Sequence, residues 1–122
     1  VEITPEQKLS AVVEMAQEAK KTFSAAQDLY QTARQRVSSE KLSLEEAQRL
    51  YDKQVLVRLP DKDKELQFLR AAGQHLNAAR ISCNSALASE NVAHEQWDVA
   101  RKKMEECDKV LETAKKEYLT MI

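Results

Sequence analysis

Glu90 and His94 are the two residues whose types and spacing most directly suggest chemistry. They lie four positions apart, so a helix carries their carboxylate and imidazole on one face. Cys83 and Glu40 are further potential metal ligands. A metal site carried by helices needs several ligands that converge from facing helices, however, and the helix pairing derived below separates Glu40 from Glu90 by about two turns. We therefore expect a solvated Glu-His pair, with no metal and no other cofactor.

Nucleophilic catalysis also requires a fixed geometry. Serine, histidine and aspartate all occur, but the sequence has no glycine-rich loop, nucleophile elbow or strand-to-helix turn to position a nucleophile. His75 lies next to the apolar Leu76, and we interpret it as a residue on the flank of a helix interface. The chain is therefore not expected to be an enzyme.

The elements that position these residues follow from composition. The 122 residues are 32% charged and 5% aromatic, with one glycine and two prolines. This combination is typical of long helices and coiled coils, because a globular core needs more large apolar residues. The formal net charge is -1, with 19 basic and 20 acidic residues interspersed, so no basic field is present to bind nucleic acid. No apolar run is long enough to span a bilayer.

A first long helix is predicted from Pro5 to about residue 58. Thr4 can cap this helix, proline suits its first position, and Gln7 completes a capping box. A seven-residue repeat, with a second set of residues three positions later, then defines the a and d positions of a coiled coil. The a positions are Leu9, Ala16, Phe23, Tyr30, Val37, Leu44 and Tyr51, and the d positions are Val12, Ala19, Ala26, Ala33, Glu40, Ala47 and Gln54.

Pro60 and the charged residues after it predict a turn. Proline disfavours helix in the residue before it, and Asp61 or Asp63 can cap a following helix. The repeat then resumes, with a positions at Leu69, Leu76, Cys83, Glu90, Trp97, Met104, Leu111 and Tyr118 and d positions at Ala72, Ala79, Ala86, Ala93, Ala100, Cys107, Ala114 and Met121. The sequence thus predicts an all-α fold of two long antiparallel helices, an intramolecular coiled-coil hairpin with Ala-rich close packing. Residues 1–122 form this single hairpin, with helices at 5–58 and 64–121 and a turn at 59–63.

The register of the hairpin follows from the same repeat. If the chain folds back at Pro60, the numbers of facing residues add up to 123, and nearly every layer sets one large side chain against an alanine. Phe23 then faces Ala100. Alternation of large and small residues across a layer lets two helices pack closely at native density. Gly73 lies beside the Tyr51 layer, where we expect its missing side chain to leave room for the ring.

Two layers place a carboxylate at this interface: Glu40 opposite Cys83, and Glu90 opposite Ala33. We interpret both as polar layers whose long side chains reach outward to an arginine (Arg34, Arg36 or Arg80) and fix the register at some cost in stability. The alternative is a hinge or docking point, where a weakened interface lets the hairpin bend or accept a third helix.

More apolar residues surround the turn than a two-helix interface can cover. The predicted contact residues for a partner are Leu56, Val57, Arg58, Leu59, Leu66 and Phe68. Exposed apolar patches of this kind mark contact sites. The alternative is that the turn folds over its own end and buries them.

A second set of apolar residues flanks the interface. Its members are Met15, Leu29 and Leu50 on the first helix and Leu87 and Val110 on the second. Association of two hairpins into a homodimer through these flanks is therefore a further expectation.

The leading hypothesis is a non-catalytic interaction module, a rigid spacer or scaffold that presents its tip or one face to a protein partner. A nucleic-acid-binding helical arm, like the hairpins of some tRNA-binding enzymes, and a membrane-surface scaffold, like crescent-shaped helical dimers, both need a basic face that this sequence lacks. The third alternative is the tip-docking hairpin of bacterial efflux adaptors. Arg58-Leu59 in this sequence resembles the tip of that family. Heptad sequences resemble one another for reasons of packing, so the repeat by itself identifies no family.

Cysteine usage predicts the compartment. Cys83 and Cys107 lie on one predicted helix, where a rise of about 1.5 Å per residue keeps them too far apart to bridge. Free thiols on an apolar face favour a reducing compartment and hence the cytoplasm. The alternative is that each cysteine forms a disulfide with a second chain, which gives the same sequence pattern. The first residues lack the features of a signal peptide, and we expect the chain to be a fragment of a larger protein.

Overall fold

Two helices make up the protein. The computed structural model describes residues 2–122, in which α1 spans Pro5–Leu56 and α2 spans Lys62–Met121, with no strand among these residues. The helices pack against each other as an antiparallel hairpin, so the predicted all-α fold is confirmed. No helix in this described part of the chain is long and apolar enough to cross a membrane.

The start of α1 has the predicted capping box. The Gln7 backbone N–H donates to the Thr4 hydroxyl at 3.2 Å, and the Thr4 N–H donates to the Gln7 side-chain carbonyl at 3.1 Å. These reciprocal bonds satisfy two of the amides that have no partner inside the helix.

The turn lies two residues earlier in the chain than predicted. α1 ends at Leu56 instead of residue 58, and the Arg58 side chain bonds to the Val55 carbonyl in its last turn and to the Val57 carbonyl just beyond it. α2 begins at Lys62 instead of residue 64, because Asp61 caps it. The Asp61 carboxylate accepts from the backbone N–H of Asp63 at 2.9 Å and of Lys64 at 3.4 Å.

The core consists of the predicted a and d positions. Every buried hydrophobic residue among residues 2–122 lies at one of them, and no polar residue there is buried. Most are alanines. Two helices that meet at alanine approach closely, so the small residue is largely covered while its larger neighbour extends across the interface and, apart from Val37 and Leu76, stays partly exposed. The buried residues are Ala16, Ala19, Ala26, Val37, Ala47, Leu76, Cys83, Ala86, Ala93, Ala100 and Cys107.

Two compact units share these helices. The terminal unit consists of α1 up to Gln31 and α2 from Val92, and the turn unit consists of Thr32–Asn91. In the terminal unit a buried cluster of Ala16, Ala19 and Cys107 packs with Met104 and Leu111. The numbers of Ala16 and Cys107 add up to 123, as do those of Ala19 and Met104, so these contacts agree with the predicted register.

In the turn unit, Gly73 lies beside the Tyr51 ring as predicted. A Cβ added to Gly73 lies 3.6 Å from a carbon of the Tyr51 ring, which is an ordinary van der Waals distance. An alanine side chain therefore fits this position without displacing the ring.

Candidate functional site

Arg58 organises the turn. Its Nη1 donates to the carbonyl oxygens of Val55 at 3.0 Å and Val57 at 3.3 Å. Carbonyls in the last turn of a helix have no partner inside the helix, and a basic side chain that bonds to them also interacts favourably with the helix dipole. Arg58 is thus part of the C-terminal cap of α1.

Arg58 also forms the last layer of the interface. Its Nη1 lies 3.4 Å from Glu65 Oε1, and Lys62 Nζ lies 3.9 Å from Glu65 Oε2. The numbers of Arg58 and Glu65 add up to 123, so the pair occupies the next a and d positions after the Tyr51 and Gln54 layers. The Glu65 side chain is only 15% exposed, whereas that of Arg58 is 72% exposed. An ion pair therefore closes the interface at the turn, in place of an apolar layer.

The predicted contact residues at the turn divide into two groups. Leu56, Leu66 and Phe68 are exposed to 79%, 59% and 54%, and Val57 is exposed to 37%. Leu59, in contrast, is half-buried. The exposed side chains form what we call the apolar tip, consisting of Leu56, Val57, Leu66 and Phe68 with Val55, which is also exposed.

The repeat distributes the apolar tip over both flanks of the interface. Val55 and Leu66 occupy e positions, which face each other on one flank of an antiparallel pair. Val57 and Phe68 occupy g positions on the other flank. Apolar side chains thus lie on both sides of the ion pair that closes the hairpin, where no third helix of residues 2–122 covers them.

The two predicted polar layers lie in the turn unit, and both Glu40 and Glu90 are partly buried. Two of the three arginines expected to pair with them contact other residues. Arg36 Nη1 donates to the Ser89 hydroxyl at 3.5 Å, and Arg80 Nη2 donates to the Gln48 side-chain carbonyl at 3.2 Å. These bonds join α1 to α2 across the flanks.

An aromatic cluster in the terminal unit is a feature that sequence reasoning missed. Ring centroids are 6.1 Å apart for Phe23 and Trp97, 5.9 Å for Tyr30 and Trp97, and 5.2 Å for Tyr30 and His94. The register itself contains the signal, because successive layers place these large a residues on alternate helices and so bring them into contact diagonally. His94 packs beside two rings, 5.8 Å from that of Trp97, and is exposed, so the solvated Glu-His pair stays a prediction.

A charged group adjoins this cluster. The Arg101 guanidinium lies 5.4 Å from the centroid of the Trp97 ring, and its buried Nε has no hydrogen-bond acceptor within the described chain. The ring face attracts this cation. Arg101 donates to Asp98 at 2.7 Å, and this bond, with a second contribution from Lys102 at 3.1 Å, holds the pKa of the Asp98 carboxyl below its ordinary value. The same bond raises the pKa of Arg101.

The potential metal ligands do not converge. Across residues 2–122, no three His, Cys, Asp or Glu side chains form a group that can hold a metal ion. Cys83 and Cys107 are both buried and free.

A groove in the terminal unit is the second feature that the sequence did not reveal. We call it the terminal groove; it has a volume of about 700 Å³ between the first turns of α1 and the last turns of α2. Leu9, Val12, Val110 and Tyr118 contribute much of its apolar lining, and Lys8 and Glu117 lie on opposite helices at its edge. Its position follows from the register, but its depth depends on how the last layers pack, which the repeat does not specify.

Comparison with protein-family models, curated proteins and solved structures finds no match to this chain.

Proposed function

We propose that this protein is a non-catalytic interaction module, a helical spacer or scaffold whose apolar tip docks on a protein partner. The observation that carries the proposal is the ion pair between Arg58 and Glu65, which forms the last layer of the helix interface at the turn. Leu56, Leu66 and Phe68 lie outside this interface and are exposed. Large apolar side chains that cluster outside a completed interface mark contact surfaces.

The charges around the tip favour a protein over nucleic acid or an anionic membrane. Lys62 and Lys64 alternate with Asp61 and Asp63 in the turn, so no net positive field develops there. A partner that presents an apolar recess with a polar rim matches this surface, because interface cores are apolar and depleted of charge while their rims are polar. The two buried free thiols support the cytoplasm as the compartment in which this contact forms.

The variants that test the tip must leave the hairpin intact. Arg58→Ala does not meet this condition, since it also removes the cap of α1, and Leu59→Ser replaces a half-buried side chain. Leu66 and Phe68 are exposed helical residues, so changes there leave the packing of the hairpin unaltered.

The experiment is site-specific photo-crosslinking in cells. A photoreactive amino acid replaces Phe68, which is 54% exposed, in one variant and Val99, an apolar residue of α2 in the terminal unit that is 67% exposed, in the matched control. We expect a protein adduct of defined mass at position 68 that Leu66→Ser abolishes, with no such adduct at position 99. Equal labelling at both positions, or an adduct that Leu66→Ser does not weaken, contradicts a specific site at the tip.

A further inference from the structure

The terminal groove is an apolar surface that the two helices do not fill. Leu9, Val12 and Tyr118 occupy a and d positions, yet they are only partly buried, and Val110 beside them is exposed. The fully buried core of this unit begins only at Ala16 and Cys107. Additional helices packed on the groove would complete these layers.

The charges at the groove edge indicate what covers it. Two cations and two anions line the groove: Lys8 and Glu2 from the start of the chain, and Lys109 and Glu117 from α2. In the hairpin register Lys8 and Glu117 lie about two residues apart along the axis, or roughly 3 Å. Within residues 2–122 neither side chain forms an ion pair. One cation and one anion at nearly the same level make this surface complementary to itself.

We propose that a second copy of this chain occupies the terminal groove, related by a two-fold axis parallel to the helices. Such an axis places α1 of each copy against α2 of the other, so Lys8 of each copy meets Glu117 of its partner. Every neighbouring pair of helices in the resulting four-helix arrangement is antiparallel, as in bundles with short connections. The two grooves then form one shared apolar core, as the isologous symmetry of a dimer requires.

This self-association is independent of the tip, which lies in the turn unit. Met15 extends the same surface, since it occupies a g position of α1 on the flank that carries Val110 of α2, and both side chains are exposed. The dimer covers these two residues together with the groove.

The test is the molar mass of the whole 122-residue chain over a concentration series, measured by light scattering after size exclusion. We expect a dimer in the wild type. Lys8→Glu and Glu117→Lys each create two like-charge contacts across the two-fold axis, so each raises the dissociation constant of the dimer by about tenfold or more. Lys116→Glu, which changes an exposed charge away from the groove, is the matched control and leaves the constant unchanged.

A mixture of the two variants isolates the contact between chains. In the mixed pair, the carboxylate introduced at position 8 of one chain meets the ammonium introduced at position 117 of the other. The second contact joins the native Lys8 and Glu117, so both contacts become attractive. We expect the mixture to dimerise as tightly as the wild type, because the unfavourable charges within each variant chain are the same before and after association.

Three results overturn the proposal. The first is a wild type that is monomeric at every concentration, and the second is a mixture that associates no more tightly than its components. The third is a mass above that of two chains, because a closed two-fold contact leaves no second groove to continue the assembly.

Discussion

At the scale of single residues, side-chain size controls how closely the helices approach. The buried positions are mainly alanine, and most of the larger a residues, apart from Val37 and Leu76, stay partly exposed, because close approach at alanine leaves them at the edge of the interface. The aromatic cluster is a consequence of this alternation, since Phe23 and Trp97 belong to neighbouring layers and meet diagonally. Residue size therefore positions the rings without any requirement for a binding site.

Gly73→Ala tests the packing at one residue. The added Cβ lies at van der Waals distance from the Tyr51 ring, and alanine has a higher helix propensity than glycine, so we expect the free energy of unfolding to rise by about 1 kcal/mol. Ala71→Gly, two residues away at an exposed position of α2, is the matched control and should lower it by a similar amount. Urea denaturation measures the free energy of unfolding of both variants. A lower value for Gly73→Ala than for the wild type would show that the Tyr51 ring needs the space beside Gly73.

At the scale of elements, local hydrogen bonds decide where each helix begins and ends. Thr4 and Gln7 cap the start of α1, the Arg58 side chain bonds to the Val55 carbonyl in its last turn, and Asp61 caps the start of α2. The caps at the two starts follow from residue type and spacing. The Arg58 bonds to Val55 and Val57 are equally local, but residue type and spacing do not predict them, and α1 ends two residues earlier than predicted.

Asp61→Ala tests the cap of α2. It removes the acceptor for the Asp63 and Lys64 amides, so we expect a loss of about 1 kcal/mol of stability and fraying of the first turn. Asp61→Asn keeps an acceptor in the same place and should retain most of the stability. Amide hydrogen exchange over residues 62–66 reports the fraying. Equal exchange in the two variants contradicts a capping role.

At the scale of the whole molecule, the chain reverses once and pairs its helices within itself. Contacts in both units agree with a constant sum of 123, from Ala16 with Cys107 in the terminal unit to Arg58 with Glu65 in the turn unit. The two helices can pair within one chain or be exchanged between two chains, and both arrangements give the same local layers. A cross-link between the helices distinguishes the two arrangements, because it joins either one chain to itself or two chains to each other.

Ala16→Cys makes this distinction because its partner, Cys107, is native. Both positions are buried in one cluster, and we expect oxidation to link them within a chain, provided that the Cα atoms meet disulfide geometry. Ala11→Cys, an exposed position five residues earlier on α1, is the control and should not link to Cys107. Mass spectrometry of peptides without reduction detects the bond. A link found only in dimers shows that the helices pair between chains.

The sequence by itself determined the two helices, their capping residues, the register and the position of the turn to within two residues, because all of these depend on residue type and on a period of seven. Only the tertiary structure decided what the remaining side chains do. The Arg58 side chain bonds to the Val55 carbonyl while it stays mostly exposed, Leu59 is half-buried, His94 packs beside two aromatic rings, and the terminal groove lies beside Leu9 and Tyr118. The repeat assigns each residue a position but does not fix these contacts, which depend on local helix separation and on the path of the turn.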